Sequence, residues 1–108
     1  MESSFIELDE QALLRKTWSG GEPFAVYFYT PWCGTCKYGE KMLTVVAAME
    51  PSAQMYRGNV NFLPTVVREW KIESVPCLAF VQGKRLVEKI YTMRNVEHLL
   101  ERVRDRLL

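Results

Sequence analysis

Cysteine is scarce in this chain, three among 108 residues, and an odd number cannot close into a disulfide framework. No apolar run approaches the ~18–20 residues that a membrane-spanning helix requires. An excess of one charge is also missing: 14 Lys and Arg stand against 13 Asp and Glu, so electrostatics gives no argument for nucleic acid or an anionic membrane. The densest basic group, Arg102, Arg104 and Arg106, alternates with Val103 and Asp105 and reads as a solvated helix face. The opening MESSFIELDE has no basic start, apolar stretch or small-residue cleavage site, so it is not read as a secretory signal. The expected location is therefore the cytoplasm, where thiols are kept reduced. A close cysteine pair plus one extra points there to redox or metal chemistry.

What is present fits one domain, residues 1–108, with one apolar core. Repeats and low-complexity tracts are absent, and Ser19-Gly20-Gly21-Glu22-Pro23 is a turn rather than a linker. Asp9 is a good N-cap for a helix through Leu13, Leu14 and Trp18. Phe24 to Thr30 is a continuous apolar and aromatic run between Pro23 and Pro31, which predicts a buried central strand. Tyr38, Met42, Val45, Val46 and Met49 then fall on one face of a helix that Pro51 ends. Gln54 to Val60 reads as a strand that Gly58 weakens. Leu63, Val66, Val67 and Trp70 share a helix face, with Pro64 in its first turn.

Cys77 to Gln82 and Arg85 to Tyr91 are β-like runs joined by Gly83-Lys84, a hairpin signal. Asn95 can cap a last helix carrying Val96, Leu99, Leu100, Val103 and Leu107 on its apolar stripe. The order α-β-α-β-α-β-β-α, with a further short strand expected around Phe5–Glu7, predicts an α/β fold: a mixed sheet with helices on both faces. Trp18, Trp70 and the methionines read as core.

The chemistry lies in Trp32-Cys33-Gly34-Thr35-Cys36-Lys37, between the strand ending at Thr30 and the next helix. A helix start exposes unpaired N–H groups and the positive end of the dipole, and a thiolate there gains from both. Two intervening residues bring the two sulfurs within bonding reach. Gly34 and Thr35 allow that tight turn without bulk or charge. Cys33 is expected on the exposed side as nucleophile. Cys36, inside the first turn, is expected to resolve the mixed disulfide at high effective concentration. The competing use of the motif is half a zinc site, but its other candidate ligands, Cys77 and His98, lie far apart in sequence.

With these residues in hand, the chain resembles the thioredoxin family over nearly its whole length. FAVYFYTPWCGTCK is similar to the family's active-site strand and motif, and Ser74-Val75-Pro76-Cys77-Leu78-Ala79-Phe80 to its second signature. The resemblance implies a thioredoxin fold and protein-disulfide reductase activity. It also implies a cis Pro76 facing the cysteines, a Val75 backbone directed at substrate, and an apolar rim from Pro31 and Trp32. No tightly bound cofactor and no metal are implied. The partners it implies are disulfide-containing proteins and an NADPH-dependent flavin thioredoxin reductase, the protein itself being a monomer.

The chain also departs from the family pattern. Thr35 replaces the proline of Cys-Gly-Pro-Cys, and no His stands between the cysteines, which argues against the strongly oxidising relatives. Tyr27 occupies the place of a buried Asp, so a proton acceptor for Cys36 is not carried over, and the basic Arg57 loses its usual partner. Lys41 replaces a kinking proline. Tyr91 replaces a glycine beside the substrate groove and is expected to narrow or cap it. Cys77 can be a regulatory thiol or a small buried hydrophobe. Three functional readings stay open: a general disulfide reductase, an oxidoreductase specialised for one partner or a small thiol, and a redox-sensing binding module.

Overall fold

A computed structural model describes residues 5–108; the first four residues of the opening read above for a signal lie outside them. The chain begins with a two-residue strand β1 (Ile6–Glu7) and helix α1 (Glu10–Ser19), followed by β2 (Phe24–Tyr29) and α2 (Gly34–Met49). After β3 (Met55–Asn59), a single 3-10 turn over Val60–Phe62 leads to α3 (Pro64–Glu69). The hairpin β4 (Cys77–Gln82) and β5 (Arg85–Ile90) precedes α4 (Val96–Leu107). The sheet order is β1-β3-β2-β4-β5, with β1, β3 and β2 parallel, β4 antiparallel to β2, and β5 antiparallel to β4. Among the described residues, no helix is long and apolar enough to cross a membrane.

Local chemistry accounts for the boundaries. The Asp9 carboxylate accepts the Ala12 N–H at 2.8 Å, and Gly20 closes α1 in the left-handed region at φ 66°. The Asn95 side chain accepts the His98 N–H at 2.7 Å to start α4. Pro64, which has no N–H to leave unpaired, opens α3. Gly83, at φ 63°, takes the turn between β4 and β5. Gly58 weakens the strand pattern for a structural reason: a side-chain carbon there would come within 2.7 Å of Leu63 Cδ1.

The central position of β2 explains its continuous apolar run, since both faces are covered. Phe24, Val26 and Phe28 pack with Leu13 of α1 and Val66 of α3. Ala25, Tyr27 and Tyr29 pack on the other face with α2 and α4. Helix α2 seats differently from the sequence expectation. Met42 and Val46 are buried, but Tyr38, Val45 and Met49 are 65%, 48% and 50% exposed. The inward face is Cys36, Gly39, Met42, Leu43 and Val46. Both sets satisfy a helical period, and the pattern of apolar side chains gave no weight to a glycine pressed against the sheet. Trp18, expected in the core, is 69% exposed at the end of α1. Trp70 is half-buried and packs edge-on against Phe28.

Candidate active site

The cysteine motif sits where β2 ends and α2 begins. Cys33 is the N-cap of α2: its backbone is extended, and its sulfur accepts the Cys36 N–H at 3.1 Å. The sulfur thus occupies the position of a capping oxygen, beside unpaired helix N–H groups. Cys33 and Cys36 are joined as a disulfide, with Cα atoms 5.1 Å apart. The two differ in access, Cys33 being half-buried and Cys36 only 2% exposed. The Thr35 hydroxyl lies 3.2 Å from the Cys33 sulfur. Gly34 and Thr35 are exposed, and Trp32 stands 92% exposed beside the pair.

The second signature lies at the start of β4. The Val75–Pro76 bond is cis. Val75 and Cys33 pack against the same apolar cluster that holds Cys36, together with Met93 from the loop before α4. A shallow depression of about 160 Å³ adjoins Val75, lined also by Val60, Val67, Ile72, Glu73 and Ser74. Tyr91 is half-buried and packs on the α1/α3 side of the sheet. Its hydroxyl accepts the Glu73 N–H at 3.3 Å and donates to the Lys71 carbonyl at 3.4 Å. Tyr91 is therefore tied to the segment forming one wall of the depression.

Cys77 is wholly buried, and burial pushes its thiol up to about 11, against smaller opposing effects of the Tyr91 hydroxyl and Lys89. It is a protonated thiol at neutral pH, in the cluster on the opposite face from Cys36. His98 lies in the first turn of α4, with its Nδ1 buried and unpartnered. Among the described residues, no group of three or more His, Cys, Asp or Glu side chains is placed to hold a metal ion.

Beneath α2, Tyr27 is 1% exposed and donates its hydroxyl to the Cys36 carbonyl at 2.7 Å. Burial, with the Glu40 negative charge adding to it, pushes this phenol upward. Arg57 finds its partners without a buried Asp: Glu40 at 3.0 Å, Glu7 at 2.7 Å and the Tyr29 hydroxyl at 2.7 Å. One guanidinium thus ties β1, β2 and α2 to β3. The sequence reading had not singled out Gly39 or Glu40. A glycine inside a helix costs about 1 kcal/mol relative to alanine, and that cost was the available signal of a close approach.

The thioredoxin family profile matches residues 6–105 of this chain. The thioredoxin-like protein YusE of Bacillus subtilis (strain 168) is 42% identical over 83 residues, covering 77% of this chain and 78% of that protein. A bifunctional thioredoxin reductase/thioredoxin of Mycobacterium leprae is 26% identical over 101 residues, 93% of this chain but 22% of the longer protein. In fold, the chain is similar to mitochondrial thioredoxin 3 of Saccharomyces cerevisiae in its oxidized form. The TM-score is 0.81 at 22% identity, covering 94% of this chain and 95% of the other.

Proposed function

We propose, for a chain that belongs to the thioredoxin family and is a thiol–disulfide oxidoreductase, that it reduces protein disulfides with Cys33 as nucleophile and Cys36 as resolving thiol. The observation that carries this reading is the asymmetry of the pair. The Cys33 sulfur caps a helix and is reachable, whereas Cys36 is shielded one turn in. In the reduced protein the Cys33 thiolate attacks one sulfur of the substrate disulfide, and the other leaves as a thiolate. Cys36 then attacks Cys33 and expels the second substrate sulfur. The protein is left oxidised and both substrate sulfurs are left reduced.

Substrate binding is assigned to Trp32, Gly34, Thr35, Val75, Pro76 and Tyr91 around the pair. Trp32 offers an exposed apolar face, and the Val75 region offers a depression. Residues 1–108 act as one domain, with no bound cofactor and no metal. Recharging falls to an NADPH-dependent thioredoxin reductase, a reading supported by the Mycobacterium leprae relative, whose name joins the two activities. The working location is the cytoplasm and the working form a monomer. A narrower reading, an oxidoreductase serving one partner or a small thiol, is favoured by Tyr91, which ties the wall of the depression through Glu73.

The test is a coupled assay with NADPH, a thioredoxin reductase and insulin as the disulfide substrate. NADPH consumption is expected, falling to background in Cys33→Ser. Turnover with glutathione disulfide but not insulin selects the narrower reading. Absence of turnover with either overturns the assignment as a reductase.

A further inference from the structure

Tyr27 and Gly39 form one device between the central strand and the active-site helix. The Tyr27 hydroxyl reaches the Cys36 carbonyl from the buried side. In an α-helix that carbonyl also accepts the amide four residues on, here that of Glu40. The hydroxyl has room only because residue 39 is glycine. A Cβ there would overlap it and stand 2.9 Å from Met93 Cγ. Alanine, the better helix former, would force that hydroxyl to move.

We propose that Tyr27 is the positioning residue for the resolving step: its hydroxyl, seated in the notch left by Gly39, pins the Cys36 carbonyl and so fixes the approach of the Cys36 sulfur to Cys33. This rests on Cys36 being the resolving thiol. In that step the bond between Cys33 and the substrate sulfur breaks and the Cys33–Cys36 bond forms. The proton lost by Cys36 ends on the departing substrate thiolate. Atoms and charge balance without a base at residue 27, and the phenol stays protonated, since burial pushes it upward. The hydroxyl therefore governs the rate of resolution and leaves its pH dependence alone.

Stopped-flow reaction of the reduced protein with dithiodipyridine separates the steps. The first thiopyridone released reports attack by Cys33, and the second reports closure by Cys36. In Tyr27→Phe the first release is expected at the wild-type rate. The second is expected about tenfold slower, the kinetic equivalent of one lost hydrogen bond of about 1.4 kcal/mol. Its profile between about pH 6 and about pH 9 should run parallel to wild type.

Gly39→Ala retains the ring and displaces the hydroxyl, so it should slow the second release in the same way. In the double variant the two effects should be less than additive, because both act on the Tyr27 hydroxyl while only the contact of the new Cβ with Met93 is separate. A second release at the wild-type rate in either single variant overturns the proposal. So does a pH profile that loses an ionisation when the hydroxyl is removed. A wild-type protein that releases only one equivalent overturns instead the assignment of Cys36 as resolving thiol.

Discussion

Cys33 and Cys77 each stand at the start of a secondary-structure element, one capping α2 and the other opening β4, yet their surroundings make them chemical opposites. Cys33 follows the central strand out of the core, and its sulfur meets the unpaired N–H groups of a helix. Cys77 lies opposite Phe28 in the sheet and is fully buried, its thiol held protonated by lack of solvation. A thiol at a helix terminus is offered to chemistry, whereas one inside the sheet is packing material. Reactivity here follows from placement.

Alkylation of the reduced protein tests this contrast with the largest expected effect. Iodoacetamide should modify Cys33 at neutral pH at least roughly 1,000-fold faster than Cys77, which reacts only through opening of the core. Peptide-resolved mass spectrometry reads both rates, and comparable rates would break the contrast.

Next in size, Cys77→Ala should lower stability by about 1–2 kcal/mol through lost packing while leaving disulfide reduction unchanged. Urea midpoints and the coupled assay measure the two, and a fall in turnover without unfolding would return Cys77 to the active site.

The smallest effect lies on the Cys36 face of the sheet, away from the cysteines. Burial alone would raise the Glu88 carboxyl, but hydrogen bonds and ion pairs from Arg102 and Arg106 outweigh it, and the group is lowered overall. A carboxylate lowered on folding stabilises the protein above its unfolded value of about 4.3, and that contribution is lost as pH falls through the folded value. Glu88→Gln should therefore cost about 1 kcal/mol or less at neutral pH. The gap from wild type should close below about pH 4, as followed by urea midpoints, with turnover at neutral pH unaltered.

Much of the fold was legible because its boundaries are set by neighbours in sequence. Asp9, Asn95 and Gly83 announce caps and a turn through their own short-range chemistry. The central strand declared itself as an unbroken apolar run. The cysteine pair was equally local, and the cis Pro76 followed from the resemblance. What escaped depends on partners far along the chain. The seating of α2 was set by Gly39 against Tyr27, twelve residues earlier, and by Met93. The destination of Arg57 depended on Glu7, Tyr29 and Glu40, which only the folded sheet and helix bring together. Trp18 was misplaced because α1 turns Leu13 and Thr17 inward, which leaves Trp18 on the outer face.

The turn after α3 has its own consequence. Lys71 holds φ 54°, a conformation that costs a side-chain-bearing residue about 1–2 kcal/mol, and its carbonyl is held by the Lys89 ammonium at 2.9 Å as well as by Tyr91. The approach to Val75 and Pro76 is thus moored to the edge strand. A load on the Lys71 turn therefore passes through Lys89 into the outermost ribbon of the sheet.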